Sequence, residues 1–353
     1  MRWRSIFPFL VAGTLLSEMS VRELRAEESP ARQHLEITGN HTLRFIYDCT
    51  FTWPSGGGYE AVLRLPVPPD TGNQQISHFS SSLPGKIALL DGDVPAHKVL
   101  MATLHHQSGN ERRVDWRIEV TGQFQTRQLT DGPPAPGTVI TPPAPGDFLA
   151  STDSIDWQTD SFQSWLDDAG LRRHPGEAAV DYGSRVFAYF QAHGRYVYPP
   201  ETAWNAAAAC HHLRTDCGGF SLVFVAACRA NHIPARLLAG NWFKTREASD
   251  GTLDIIKRQS HVIAEFFDPQ IGWIPEDISS TLMRIPGPNG LNYFGCDPGY
   301  FLAWHVDTDF RFDTPQKPDA KVQWIQNPSP WFSEDADGVY DSLSHHWTLQ
   351  TLK

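Results

Sequence analysis

A cysteine, two glycines and a long apolar run stand together in RTDCGGFSLVFVAACRANHIPAR, residues 214–236. Thr215 or Asp216 is placed to cap a helix that starts at Cys217, and Phe220, Val223, Phe224 and Ala227 share its apolar face. A thiol there sits at the positive end of the helix dipole, which favours the thiolate, the nucleophilic form. Gly218 and Gly219 carry no side chains, so a carbonyl can reach the sulfur and the backbone N–H groups that would hold an oxyanion. A cysteine nucleophile needs a base and a group that orients it. His261 opens the run SHVIAEFF, and Asp277 lies in the strand-like WIPEDIS beyond the turn DPQIG. Two antiparallel neighbours joined by that turn would bring the imidazole and the carboxylate together.

That set does acyl transfer. Cys217 attacks a carboxamide or peptide carbonyl, His261 protonates the departing amine, and Asp277 holds the imidazole tautomer. The backbone N–H of Cys217 is the first oxyanion donor, with Tyr198 and Trp204 as aromatic choices for the second. Taken singly, each residue has a plainer reading: a small buried hydrophobe, a hydrogen-bonded core histidine, a strand-end carboxylate. Their common register favours chemistry. Cys228 reads as a core residue of the cysteine helix, and Cys210, His211, His212 and Cys217 fit no standard zinc spacing.

The elements that must position this set fall in order. Between about residues 35 and 130, runs such as HTLRFIYDCTFTW and RRVDWRIEVTGQF alternate apolar and polar residues, predicting a mostly antiparallel β-domain. Residues 131–150 hold DGPPAPGTVITPPAPG, a proline-dense connector that continues neither helix nor central strand. TDSFQSWLDDAGL, capped by Thr159 or Asp160, and GEAAVDYGSRVFAYFQAHG predict two core-facing helices. After Arg236 come the strand RLLAGNWF, a charged loop KTREASDGTLDIIKRQ, and the strands around His261 and Asp277. The aromatic tail, residues 291–353, is expected to fold as an extension on the catalytic part.

A chain of 353 residues with 41% hydrophobic content suffices for two domains or one large one. With 40 acidic against 29 basic residues the formal charge is −11, which argues against nucleic-acid binding, a polybasic membrane contact and acidic substrates. Arg2 and Arg4 precede an apolar run over residues 6–16, too short to span a bilayer but suited to a signal peptide. Cleavage is placed after Ala26, making residues 1–26 a leader and the mature protein exported, periplasmic or extracellular. Five cysteines, Cys49, Cys210, Cys217, Cys228 and Cys296, are too few for a disulfide scaffold, and their odd number leaves a thiol unpaired.

DCGGFSLVFVAACRANHIPARLLAG followed by SHVIAEFFDPQIGWIPEDIS resembles the transglutaminase-like superfamily. Its pattern is roughly Gly-x-Cys, a helix, Arg-Ala-x-Gly-Ile-Pro-Ala-Arg, His-x-x-x-Glu, then Gly-Trp-x-x-x-Asp. The resemblance implies that Cys217 is the nucleophile, His261 the base and Asp277 the orienting acid. Ile233, Pro234, Ala235, Arg236, Glu265, Gly272 and Trp273 fall at the expected places, and the likeness extends over most of residues 180–310. The implied fold is α+β: a papain-like core, residues 151–290, whose helix-borne cysteine packs on an antiparallel sheet, preceded by the β-rich domain.

Three positions depart from the pattern. Thr215 and Asp216 stand where a Gly-x pair usually precedes the cysteine. Asn231-His232 replaces the turn glycine, with Asn231 tolerating the left-handed turn that stops the helix. Val262-Ile263 replaces Ala-Trp after the histidine and leaves the cleft without an evident aromatic wall. A weakly shaped acceptor channel favours water, so hydrolysis is expected at least as readily as cross-linking. The implied substrate is a protein or peptide, with no cofactor or metal, no nucleic acid, and no membrane after signal removal. The front β-domain would govern access without supplying catalytic groups. The reading from a different class is a non-catalytic extracellular binding module on the same scaffold.

Overall fold

The computed structural model describes residues 33–53, 59–89, 97–107, 113–144, 146–247, 253–283, 293–313, 318–326, 329–332 and 343–352. The expected leader, residues 1–26, lies outside the described residues. Among the described residues no helix is long and apolar enough to cross a membrane.

Alternation in the front half does what it predicts. Along the strand Gln33–Thr52, Leu43, Phe45, Tyr47, Cys49 and Phe51 are buried, and Trp116, Ile118 and Val120 are buried on Arg113–Asp131 beside it. These side chains meet Leu63, Leu65 and Leu100 from a four-stranded sheet made of Ser329–Phe332, Tyr59–Pro66, Lys98–His106 and Lys86–Leu89.

The main sheet has nine antiparallel strands and does not stop at the proline-rich connector. Its order runs Cys296–Asp297, Arg113–Asp131, Gln33–Thr52, Leu343–Leu352, Leu253–Asp268, Ala235–Glu247 and Phe301–Val306. Gly272–Glu276 pairs with Leu253–Asp268, and Gln74–Ser81 with Arg113–Asp131. The two segments expected as separate domains therefore share one sheet, because the tail strand Leu343–Leu352 pairs along Gln33–Thr52 and touches Leu253. Phe243, Leu302 and Trp304, from strands after the connector, complete the front core. The connector is itself pinned: Phe148 O accepts from Ala235 N at 3.1 Å, and Ala150 O from Arg229 Nη1 at 2.9 Å.

Helices α1 (Asp160–Asp168, capped by Thr159), α2 (Ala179–His193), α3 (Ala206–Ala209) and α4 (Cys217–Ala230) cover one face of the sheet, and α5 (Ile278–Leu282) follows Asp277. Every residue of α4 from Gly218 to Arg229 is buried, as expected for a helix apolar on all sides. Val262, Ala264 and Phe266 of the sheet join its core. At its C-terminus the left-handed residue is His232, with φ 59°, and not Asn231. Asn231 acts instead through its side chain, which donates to Tyr182 Oη at 2.7 Å and accepts from Arg173 N at 2.8 Å.

The expected charged loop after Phe243 is mostly strand. Ala235–Glu247 and Leu253–Asp268 run on as a ribbon, with Ile255 against the front core and an Arg246–Asp254 ion pair at 3.0 Å across it. Charge masked the strand because the outward face of a ribbon tolerates polar residues.

One buried network ties the halves together. Glu265, fully buried, accepts from Arg236 Nη2 at 2.7 Å on the neighbouring strand and from Arg127 Nη2 at 2.8 Å on Arg113–Asp131. Burial favours the neutral acid, but Arg236 and Arg127 outweigh it and hold the carboxyl below the usual range. A depressed carboxyl contributes stability above its unfolded-chain pKa, and that contribution is lost as pH falls through the folded-state value. Glu265→Ala would remove the buried carboxylate partner of Arg236 and leave Arg127 only Asp297, at 3.4 Å, and urea unfolding is expected to show a loss of about 3–5 kcal/mol. A fragment beginning at residue 150 lacks Arg127 and the strand Gln33–Thr52 that pairs along Leu343–Leu352. It is expected not to fold, which circular dichroism and limited proteolysis would report.

Candidate functional site

Cys217 is the first residue of α4 and is partly exposed. Asp216 before it caps the helix, its carboxylate accepting from Gly219 N at 3.1 Å. Trp204 Nε1 donates to both oxygens of Asp216, at 3.0 and 3.1 Å, so its indole N–H is engaged and not free for an oxyanion. Tyr198, the other aromatic named from sequence, is 75% exposed. The two glycines differ in purpose. A Cβ at Gly219 would run into Thr215, so that glycine lets the preceding residue pack against the helix. A Cβ at Gly218 would touch Trp324 and Trp204, so Gly218 faces the approach to the cysteine.

His261 lies on Leu253–Asp268, opposite Gly240, and is 3% exposed. Ser221 Oγ of α4 donates to Val262 O at 3.3 Å, tying the cysteine helix to the histidine strand. Asp277 stands just past the strand Gly272–Glu276, as the N-cap of α5, where the sequence placed it inside the strand. His261 Nε2 donates to Asp277 Oδ2 at 2.7 Å. The same carboxylate accepts from Ser280 Oγ at 2.6 Å, Ser279 Oγ at 2.7 Å and Ser280 N at 2.9 Å, so the aspartate is held from several directions. The other ring nitrogen, Nδ1, is buried with no hydrogen-bond partner among the described residues.

Electrostatics couples the three residues. Burial disfavours the imidazolium, but Asp277 and then Cys217 outweigh it and raise the His261 pKa well above the ordinary value. Burial likewise disfavours the Asp277 carboxylate, and His261 with Ser280 holds it below its usual range. Next to it, buried Glu276 is pushed far upward by burial and by Asp277, so it is the neutral acid, accepting from Ile278 N at 3.0 Å. One carboxylate, and not two, faces the ring.

A cleft of about 540 Å³ opens at Cys217, lined also by Tyr196, Trp204, Lys257, Trp324 and Gln326. Trp324 and Gln326 come from the tail. Gln326 Nε2 donates to Gly240 O at 3.0 Å and to His261 O at 2.7 Å, and Ile325 N to the buried His305 Nε2 at 3.2 Å. Trp324 gives the cleft an aromatic wall from the tail, in place of the one expected to be missing at Val262-Ile263. Tyr196, half-buried and without a hydrogen-bond partner among the described residues, has its phenol pKa raised by burial and by Cys217, so it remains a donor. Its only sequence signal is its place in RYVYP, upstream of the cysteine. Cys210 bonds Ala207 O and His211 bonds Ser161, and no group of three potential metal ligands gathers among the described residues.

Residues 171–278 match the transglutaminase-like superfamily, a span that holds Cys217, His261 and Asp277. No curated protein matches the chain. Among solved structures, the chain is similar to a candidate cysteine protease from Cytophaga hutchinsonii, at 15% identity and a TM-score of 0.49, over 90% of this chain and 93% of that one. It is also similar to the periplasmic domain of TgpA from Pseudomonas aeruginosa, at 12% identity and a TM-score of 0.36, over 69% and 89%.

If Asp277 holds the ring charged, Asp277→Asn should move deprotonation of His261 to lower pH, about tenfold in proton concentration for each unit lost. Iodoacetamide labelling of Cys217 at mildly acidic pH is then expected to slow by about tenfold or more, and equally in His261→Ala. Labelling of Cys217 no faster than that of fully buried Cys228 would contradict an activated thiol.

Proposed function

We propose that the chain, whose residues 171–278 match the transglutaminase-like superfamily, is an exported cysteine-dependent acyl-transfer enzyme acting on peptide or glutamine carboxamide bonds. The observation that carries this is the His261–Asp277 contact at 2.7 Å, with the opposite ring nitrogen unpartnered and Cys217 near enough to raise the ring's pKa. Cys217 Sγ bonds to the carbonyl carbon, and the carbonyl electron pair moves to oxygen. The free N–H of Cys217 in the first helical turn and the Tyr196 hydroxyl hold that oxyanion. Collapse breaks the C–N bond as His261 gives its proton to the leaving nitrogen. Asp277 keeps the imidazole oriented throughout.

Water then attacks the thioester, returning a proton to His261 and releasing the acid and the Cys217 sulfur. The charge at the cleft favours water over an amine. A lysine acceptor arrives as a cation, yet the cleft presents Lys257, and its one carboxylate, Asp216, already binds Trp204 and Gly219. The aromatic walls serve the acyl donor equally in either reaction. Export follows from the basic-then-apolar leader at residues 1–26.

The test supplies a glutamine-containing peptide with a primary amine at millimolar concentration and weighs the products by mass spectrometry. Acid product is expected to equal or exceed amine adduct, with both abolished in Cys217→Ala. Predominant adduct would make cross-linking the better description, and turnover that persists in Cys217→Ala would remove the cysteine from the reaction.

A further inference from the structure

The cleft at Cys217 does not end at Tyr196. A second hollow of about 560 Å³ shares Tyr196 and Met283 with the first and continues past Gly194 and Arg195. Together they make one groove with Cys217 and Lys257 in one part and Arg195 in the other. Its charged lining is one-sided: Lys257 and Arg195 are exposed cations, and Asp216 is engaged by Trp204 and Gly219. Exposed arginines elsewhere have acidic partners, as Arg113 with Asp115, Arg117 with Asp48 and Arg246 with Asp254. Lys257 and Arg195 have no ion pair among the described residues. Glu201, which senses Arg195, has both oxygens on Arg214 at 2.6 Å. Lys257 thus shares the hollow of Cys217 and Arg195 lines the adjoining one, on a chain whose formal charge is −11.

We propose that this groove binds an extended peptide with acidic side chains on both sides of the residue it presents to Cys217, recognised by Lys257 and Arg195. The inference rests on the acyl-transfer reading for the identity of the reacting residue. The occupant is a peptide and not a small acid, because the cations lie in two adjoining hollows that share Tyr196 and Met283. A chain advancing about 3.3 Å per residue crosses such a groove with successive side chains on alternate sides. Opposed charge draws it in and sets its placement, and salt weakens both effects.

Binding is measured by fluorescence anisotropy with Cys217→Ala protein, so that turnover does not enter. The probes are fluorescein-labelled octapeptides with a central glutamine flanked on both sides by glutamate, serine or lysine. The glutamate peptide is expected to bind about three- to tenfold more tightly than the serine peptide, the range two exposed ion pairs supply. The lysine peptide should bind weakest, and the spread should narrow at high salt. Adding Lys257→Glu and Arg195→Glu should invert the order, each single reversal giving part of the change. Equal binding of the three peptides, or an acidic preference that survives the double reversal, overturns the proposal. Turnover of the same peptides by the native protein is scored separately. Acidic preference without Cys217-dependent turnover counts against acyl transfer while supporting the binding surface.

Discussion

Glu265 is the point on which the rest of the architecture depends. It is fully buried, charged, and neutralised by two arginines that come from opposite sides of the proline-rich connector. A carboxylate in that position is tolerable only while both guanidinium groups are present, so the front strands and the strand that carries His261 must close on each other together. Arg236 also lies over the Trp273 ring at 4.1 Å, which carries the constraint to the strand Gly272–Glu276, just ahead of Asp277. Gly72 lacks a side chain where a Cβ would strike Arg127 and Glu265. On an alternating strand Glu265 points to the same side as His261, so the network that joins the halves lies on the strand that carries His261.

From that frame the site takes its electrostatic character. His261 is buried enough that it would be neutral on its own, and the Asp277 carboxylate reverses that preference. Two serine hydroxyls and a helix-start N–H keep the carboxylate ionised at low solvent exposure. Glu276 is adjacent in sequence but neutral, so only one negative charge stabilises the imidazolium. Capping supplies a parallel arrangement at Cys217, where Asp216 serves the helix and Trp204 at once. The pre-cysteine aspartate, a departure from the family pattern, thus anchors one wall of the cleft.

Local chemistry was readable from the sequence and long-range placement was not. Caps, apolar periodicity and turn signals located the elements that carry Cys217, His261 and Asp277, and the structure brings His261 and Asp277 into contact. Arg127 gave no signal, because a lone arginine on an alternating strand reads as a solvent-facing residue until its sheet neighbour is known. Trp324 and Gln326 reach the cleft only through the folded tail, which no local pattern encodes. His232 took the left-handed turn that Asn231 was expected to take, since the Asn231 amide was claimed by Tyr182 and Arg173. The family match ends at residue 278, before the tail wall begins.

Charge shows the same division between average and place. A formal charge of −11 speaks for the field far from the protein, where individual groups merge. Within a Debye length, about 8 Å at physiological salt, a ligand senses the few groups that line its path. Along this groove those groups are Lys257 and Arg195, and the acid among them already has donors. Composition argues against acidic substrates as an average over the whole surface, whereas the proposed acidic peptide would meet only the lining of the groove. The ribbon that carries Lys257 looked like a charged loop for the same reason: its polar residues were counted before their positions on the strand were known. An acidic protein can therefore present a basic groove, and the same two cations that would draw in an acidic acyl donor would hold off an ammonium acceptor and leave the thioester to water.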